Sequence, residues 1–300
     1  MEFFDYVTRL LGMDPTQLPV YVRVMTFIVP VVIVVYFTCL IVSKVKKAVK
    51  IVRHVTKGIR VKEDAGLSAD EVRAISTGAL YAYQQGGYTD VMDLDLDESR
   101  LSTILSEWWD INDRDSAIDT IDYLCEAPSQ NILPLVYSVC SASDKEAAMQ
   151  TLVDDINNNP DFKDLPDGSE RAKSLIETVK ARISNLNSQY DSLVSAGVIS
   201  STSDIKRLGV IAWDAGRLNF VARAAMQKGY LTSEECKKYV NHAFEMSKSA
   251  GYDSWKDFAN SYMLGRTMWN GECNMGGLAE DLLTKPQSPW VRFPWEDMRH

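Results

Sequence analysis

The residues best spaced for chemistry lie between Gly209 and Trp269. Trp213, Asp214 and Arg217 fall on one stretch of helical pattern. The carboxylate sits three residues before the guanidinium, and the indole four before it, within stacking reach. On a later helical pattern Trp255, Phe258, Tyr262, Arg266 and Trp269 share one face, so Arg266 lies in an aromatic row. An arginine there must find an anion, because a buried unpaired charge is costly. Asp214 can supply that anion across a helix pair, and so can a bound ligand. The simpler reading is an ion pair that locks two helices; the sharper one is a carboxylate/arginine site. Asp257 has its own explanation, since Ser254 and Asp257 form a helix-start signature.

A second polar group precedes these. Asp110, Asp113 and Arg114 follow Trp109, and Asp110 and Arg114 are spaced for an i, i+4 pair. The blocks WDINDR and WDAGR hint at an internal duplication, but their flanks do not align. Other chemistries lack their residues. The three histidines are His54 in a basic run, His242 on a helix pattern and His300 at the end, which excludes nucleophilic triads. There is no glycine-rich phosphate loop, no metalloprotease motif and no cofactor signature. Cys39, Cys125, Cys140, Cys236 and Cys273 are odd in number and scattered, which argues against a disulfide framework or a zinc site and for a reducing compartment. No metal or cofactor is expected.

Several of these blocks carry a family resemblance. Trp213-Asp214-x-x-Arg217, Gly229-Tyr230-Leu231 with Glu234 and Glu235, Ser254-Trp255-x-Asp257 and Tyr262-x-x-Gly265-Arg266-x-x-Trp269 resemble the bacterial family called domain of unknown function 1266. Trp109-Asp110-Ile111-x-Asp113-Arg114, running to Ile121-Asp122-Tyr123-Leu124, is similar to that family's other recurring block. Ser288-Pro289-Trp290 and Pro294-Trp295 also fit. The likeness covers residues 66–300 in patches, with little match between 140 and 200. The family name implies no established activity, so it transfers no catalytic residue.

The elements that must position these residues read as helices throughout. Ile205, Leu208, Ala212, Ala215, Leu218, Ala222 and Ala225 form one apolar row, stopped by Gly229. Thr232 with Glu235 starts the next helix, and Ser254 the one after. Upstream, Ser68 with Glu71 opens a helix reaching Gln85, and another runs from Glu98 to Cys125 with a break near Asn112. Between them DVMDLDLD, residues 90–97, reads as a solvated acidic loop; it lacks the glycine and closing glutamate of a calcium loop. Asn131 to Cys140 is a short apolar element, and Ser143 with Glu146 caps a helix ending near Asn157. Asn157 to Gly168 reads as a loop. Glu170 to Ala196 is a long helix whose seam of Leu175, Val179, Ile183, Leu186, Tyr190 and Leu193 calls for a partner within the domain. Glycines 271, 276 and 277 loosen the chain after Trp269, and an extended tail docks Trp290 and Trp295. The expected fold is an all-α globular domain over residues 66–300.

The first 62 residues differ. After a short segment, 1–23, residues 24–42 are nineteen in a row without a charge, the length of a bilayer-spanning helix. Acidic residues before the run and no small-residue cleavage site after it argue against a signal peptide. Residues 43–62 read as a basic amphipathic helix at the membrane: Lys44 to Lys62 contain eight Lys and Arg and no acid. Positive charge stays cytoplasmic, so the N-terminus is expected outside and the domain inside, at the inner membrane of the cell. Residues 63–300 carry 22 Lys and Arg against 38 Asp and Glu, too acidic for non-specific nucleic-acid binding. The partners expected are therefore the bilayer and a protein or small molecule.

The functional expectation is a membrane-held interaction or sensing module, against an enzyme built on Asp214, Arg217 and Arg266 or a structural subunit of a membrane assembly. Fractionated cells should hold the full chain in the membrane after salt and carbonate washes. A cytoplasm-dependent reporter fused after His300 should be active. A carbonate-soluble full chain, or a reporter active only outside, would reject the anchor or its orientation.

Overall fold

A computed structural model of the chain describes residues 58–62, 65–163 and 165–295. In chain order its helices are α1 (Ala69–Ser76), α2 (Ala79–Gln85), α3 (Glu98–Ser102), which continues as a π-helical turn over Thr103–Trp108, α4 (Arg114–Cys125), α5 (Pro128–Cys140), α6 (Lys145–Asn158), α7 (Pro160–Lys163), α8 (Gly168–Ser195), α9 (Thr202–Leu208), α10 (Ile211–Lys228), α11 (Ser233–Ser249), α12 (Trp255–Asn270), α13 (Gly276–Thr284) and α14 (Pro289–Arg292). There is no strand among the described residues; Arg60 and Tyr88 make an isolated parallel bridge. The fold is all-α.

Most of the starts are set by side chains that accept otherwise orphaned amides. Ser68 with Glu71 and Thr232 with Glu235 form reciprocal capping boxes. Asp97, Asp113 and Ser254 cap α3, α4 and α12. On α6 the cap is Asp144, which accepts from Ala147 N at 2.9 Å, rather than the neighbouring Ser143.

Helix α10 is buried on every side from Ala212 to Ala225 and is the wall shared by two apolar cores. One face joins Ala212 and Trp213 to α5, α8, α9, α12, α13 and the C-terminal tryptophans. The other joins Ala215, Leu218, Phe220 and Val221 to α1, the π-helical turn, α4 and α11. Its packing on α12 is reciprocal. A Cβ at Gly265 would lie 2.4 Å from Trp213 Cβ, and one at Gly216 would lie 2.6 Å from the Tyr262 ring. Each helix thus lacks a side chain where the other projects an aromatic ring, and the backbones close together. The long α8 lies against α5, α6 and α12, burying Ala172, Ile176, Val179, Ile183, Leu186 and Leu193; Leu175 and Tyr190 of the expected seam are only partly covered.

Several boundaries differ from the sequence expectation. The apolar row from Ile205 to Ala225 is two helices, broken at Gly209, whose φ of 61° no helix accepts. The 68–85 helix is broken at Gly78, where Asn219 occupies the space a side chain would need. The loop between Asn157 and Gly168 contains α7, and the glycines after Trp269 open a helix, α13. The tail docks as expected but through a turn, α14: Trp290 stacks on Trp255 at 5.0 Å and donates to Ser76 O, while Trp295 donates to Tyr252 O.

The membrane-span expectation for residues 24–42 and most of the basic helix of 43–62 lie outside the described residues. Among the described residues no helix is long and apolar enough to cross a membrane. Residues 58–62 are not helical. Ile59 is buried in the core, Arg60 O accepts from Thr89 N at 3.0 Å, and Lys62 N donates to Asp90. The helical expectation therefore does not hold for the end of that segment, which packs with the compact unit starting at Ile59.

The interlock of α10 and α12 is testable through glycine. Gly265→Ala should lower the unfolding free energy by about 1–3 kcal/mol in denaturant titrations, since the new methyl overpacks Trp213. Gly277→Ala, in α13 with open space around it, should leave stability unchanged or raise it by about 0.4–1 kcal/mol. Equal effects at both positions would reject the close approach.

Candidate functional site

Asp214, Arg217 and Trp213 meet where the two cores join, at the start of α10. Asp214 is wholly buried and both its carboxylate oxygens accept hydrogen bonds. Oδ2 accepts from Ser129 N at 2.9 Å and Gln130 N at 3.0 Å, the first free amides of α5. Helix α5 has no local cap, since Ala127 precedes it in the left-handed region and Pro128 has no N–H. Asp214 therefore caps it from another helix, where the positive end of the helix dipole adds to the attraction. Oδ1 takes a charge-assisted bond from Arg217 Nη2, which also donates to Ser129 Oγ at 3.0 Å.

Around that pair the aromatics pack in sequence. The Arg217 guanidinium lies 4.7 Å from the Trp213 ring centroid and 5.9 Å from that of Trp109. Trp109 Nε1 donates to Tyr81 Oη at 3.2 Å. Trp213 meets Tyr262 edge to face at 5.1 Å and Trp269 at 5.8 Å. Burial raises the pKa of both Tyr81 and Tyr262, and the Arg217 and Arg266 guanidiniums nearby pull each back. Two tyrosines and two arginines thus share one electrostatic neighbourhood.

Not every expected residue belongs to it as expected. Arg266 is not paired with Asp214. It donates to Glu272 at 3.2 Å and Asn274 at 3.3 Å, both just beyond the end of its own helix. Trp255 lies in the tail cluster, with its indole on Phe293 O and its ring against Trp290 and Trp295. Asp110 and Arg114 do not pair either. Asp110 sits in the left-handed region between helices, and Asp113 caps α4. Arg114 makes a two-pronged pair with Glu235, at 2.5 and 3.1 Å, and also donates to Tyr230 O. That pair and the Thr232 cap hold the Glu235 carboxyl down at about 2.

Residues missed from the sequence turn out to be central. Arg223 on α10 is wholly buried and faces carbonyls, not a carboxylate: Nη2 donates to Tyr88 O and Val91 O at 2.6 Å, and Nε to Met92 O at 3.2 Å. Burial brings its pKa down to about 10, with Cys236, Asp90 and Asp93 opposing. The acidic stretch is a loop solvated on one side only: Asp93, Asp95 and Asp97 are exposed, Asp90, Val91, Leu94 and Leu96 are buried, and the carbonyls of Val91 and Met92 turn to that guanidinium. The signal was present: a charge on a helix that is apolar all round must be buried with its partners. Arg182 is the other. It donates to Trp269 O, and its pKa is lowered by burial and then by Arg217, with Tyr123 opposing. Cys125 and Cys236 are free, their thiols pushed up by burial to about 11 and 12, unsuited to act as nucleophiles.

Removing Asp214 leaves Arg217 buried without its charge partner and two α5 amides uncapped. Asp214→Ala should cost about 3–5 kcal/mol in denaturant titrations, whereas Arg266→Ala, whose partner Glu272 is half exposed, should cost under about 1 kcal/mol. Comparable losses from both would restore a shared network.

The arrangement thus separates into a buried structural pair, Asp214–Arg217, and an aromatic–arginine rim around it. No curated protein and no solved structure matches the chain. Residues 104–295, which include α4 to α14 and every residue of this site except Tyr81, match the family model described as "Protein of unknown function (DUF1266)". The chain belongs to that family.

Proposed function

We propose that the chain is a sensing or interaction module held at a membrane through residues 24–42, with its domain on the cytoplasmic side and the aromatic–arginine rim as its recognition face. The observation that carries this reading is the arginine company of the large exposed rings. Trp108 is 46% exposed, Tyr123 60% and Trp269 44%. Trp108 lies against Arg100 at 5.0 Å, Tyr123 is near Arg182, and Trp269 packs on Trp213, beneath which Arg217 lies. Tryptophan, tyrosine and arginine are the side chains that dominate recognition hot spots. They stand exposed on a domain that is otherwise acidic. The uncharged run and the basic residues after it support the membrane attachment.

An enzyme built on Asp214 gains no support. Its carboxylate has no solvent exposure and is held by two backbone amides and Arg217, which gives it no route to a substrate proton in this arrangement.

Affinity capture of the full chain from detergent-extracted membranes, beside a Trp108→Ser/Trp269→Ser variant, tests the reading. Mass spectrometry should find a protein or small molecule retained at near-stoichiometric level by the parent chain and reduced at least tenfold in the variant. Identical capture by both chains would reject the rim as the recognition face.

A further inference from the structure

Helices α1 and α11 leave a groove between them that the aromatic–arginine rim does not use. Its volume is about 360 Å³ and its lining is mostly apolar. The buried Ile75 of α1 and Val240 of α11 form its floor, at the edge of the second core. Leu67, Met92 and Met226 stand around them, each only half-buried. Methionine is unbranched and polarizable, so a hollow bordered by it repacks around the side chains that enter.

The two walls run at helical spacing. Glu71 and Ala74 come from one stripe of α1, and Ser233, Lys237 and Val240 from one stripe of α11. Lys237 Nζ bonds Glu71 at 2.9 Å and holds the walls together. A trough between two helix stripes matches the apolar face of a third helix, since ridges of side chains pack into such grooves.

Charge narrows the occupant further. Glu71, Asp93 and Glu234 line the groove against Lys237 alone. Glu71 and Lys237 satisfy each other; Asp93 and Glu234 are exposed and make no ion pair among the described residues. Arg223 attracts Asp93 from within, but it is wholly buried and turned to carbonyls. An anionic ligand is repelled at such a border. An apolar face flanked by lysine or arginine is complementary to it.

We propose that the α1–α11 groove docks a basic amphipathic helix of a partner protein. The apolar stripe of that helix lies on Ile75, Val240, Met92 and Met226, and its flanking cations lie on Asp93 and Glu234. The groove shares no residue with the rim of Trp108, Tyr123 and Trp269, so it is a second recognition face, independent of the first.

The test uses a fluorescent synthetic peptide of about 18 residues, five helical turns, with leucine on one face and lysine on the other. Its anisotropy is followed as the full chain is added in phosphatidylcholine nanodiscs, with empty nanodiscs as the blank. The peptide should bind in the micromolar range, at least tenfold tighter than a scrambled peptide of the same composition and than one with glutamate for lysine. Asp93→Asn/Glu234→Gln removes the border charge, and Met92→Gln/Met226→Gln makes the hollow polar at nearly constant size. Each double variant should lose at least tenfold in affinity. The first alters only exposed side chains and should melt with the parent, so its loss of binding cannot come from unfolding. The proposal is overturned if the peptide does not bind at millimolar concentration, if the scrambled peptide binds as tightly, or if Asp93→Asn/Glu234→Gln binds like the parent. It is also overturned if octylamine binds as tightly as the peptide with the same losses in both variants, which would make the groove a pocket for a small apolar cation.

Discussion

The contact on which the molecule depends is the one between α10 and α12, where two missing side chains admit two rings. Trp213 fills the space over Gly265 and Tyr262 the space over Gly216. Close-packed interiors tolerate neither an extra methyl nor a void at such a crossing. Because α10 is also the wall between both cores, the angle of this crossing sets where α1, α4, α5 and α11 can lie. It also fixes the candidate site, since Trp213, Asp214 and Arg217 on one helix and Tyr262, Arg266 and Trp269 on the other come together only at that separation.

A buried helix with charges along it would be costly unless each charge had a task. Here each one organises a segment that cannot organise itself. Asp214 supplies the cap that α5 lacks. Arg217 neutralises Asp214 and, through Ser129 Oγ, ties the same helix start. Arg223 gathers the carbonyls of Tyr88, Val91 and Met92, in a segment with no ladder of its own. Asn219 reaches Ala74 O and Thr77 Oγ1 at 2.9 Å, where the chain bends between α1 and α2. The polar groups of α10 serve the irregular backbone around it, which is how buried polar groups become favourable.

This division explains what could be read from residues alone. Local signals were legible: Ser68–Glu71, Thr232–Glu235, Ser254 and Gly229 mark helix ends through bonds spanning three or four residues. The all-α class followed from apolar periodicity, and the pairing of Asp214 with Arg217 from an i, i+3 spacing. Partners fixed by tertiary structure were not legible. Nothing near Arg266 in sequence distinguishes Glu272 from Asp214 as its anion, although the nearer residue, six positions on, is the one used. The aspartates of residues 90–97 suggest solvation, which holds for Asp93, Asp95 and Asp97, and only the guanidinium of Arg223 behind them shows why the backbone between turns inward. Trp255 was grouped with Tyr262 by a shared face, whereas three tail aromatics claim it first.

The cap on α5 has a kinetic side. Ser129 N and Asp214 Oδ2 are 85 residues apart in the chain, so the start of α5 is completed by a residue synthesised long after the helix itself. An isolated helix of thirteen residues is marginal in water, and closing a loop of this length costs entropy before any contact repays it. Helix α5 should therefore fray at its first turn until α10 docks, and acquire its final form together with the junction of the two cores. Assembly of the recognition rim is in this sense a late event in folding, because the carboxylate that orders α5 is the same one that holds Arg217 beneath the tryptophans.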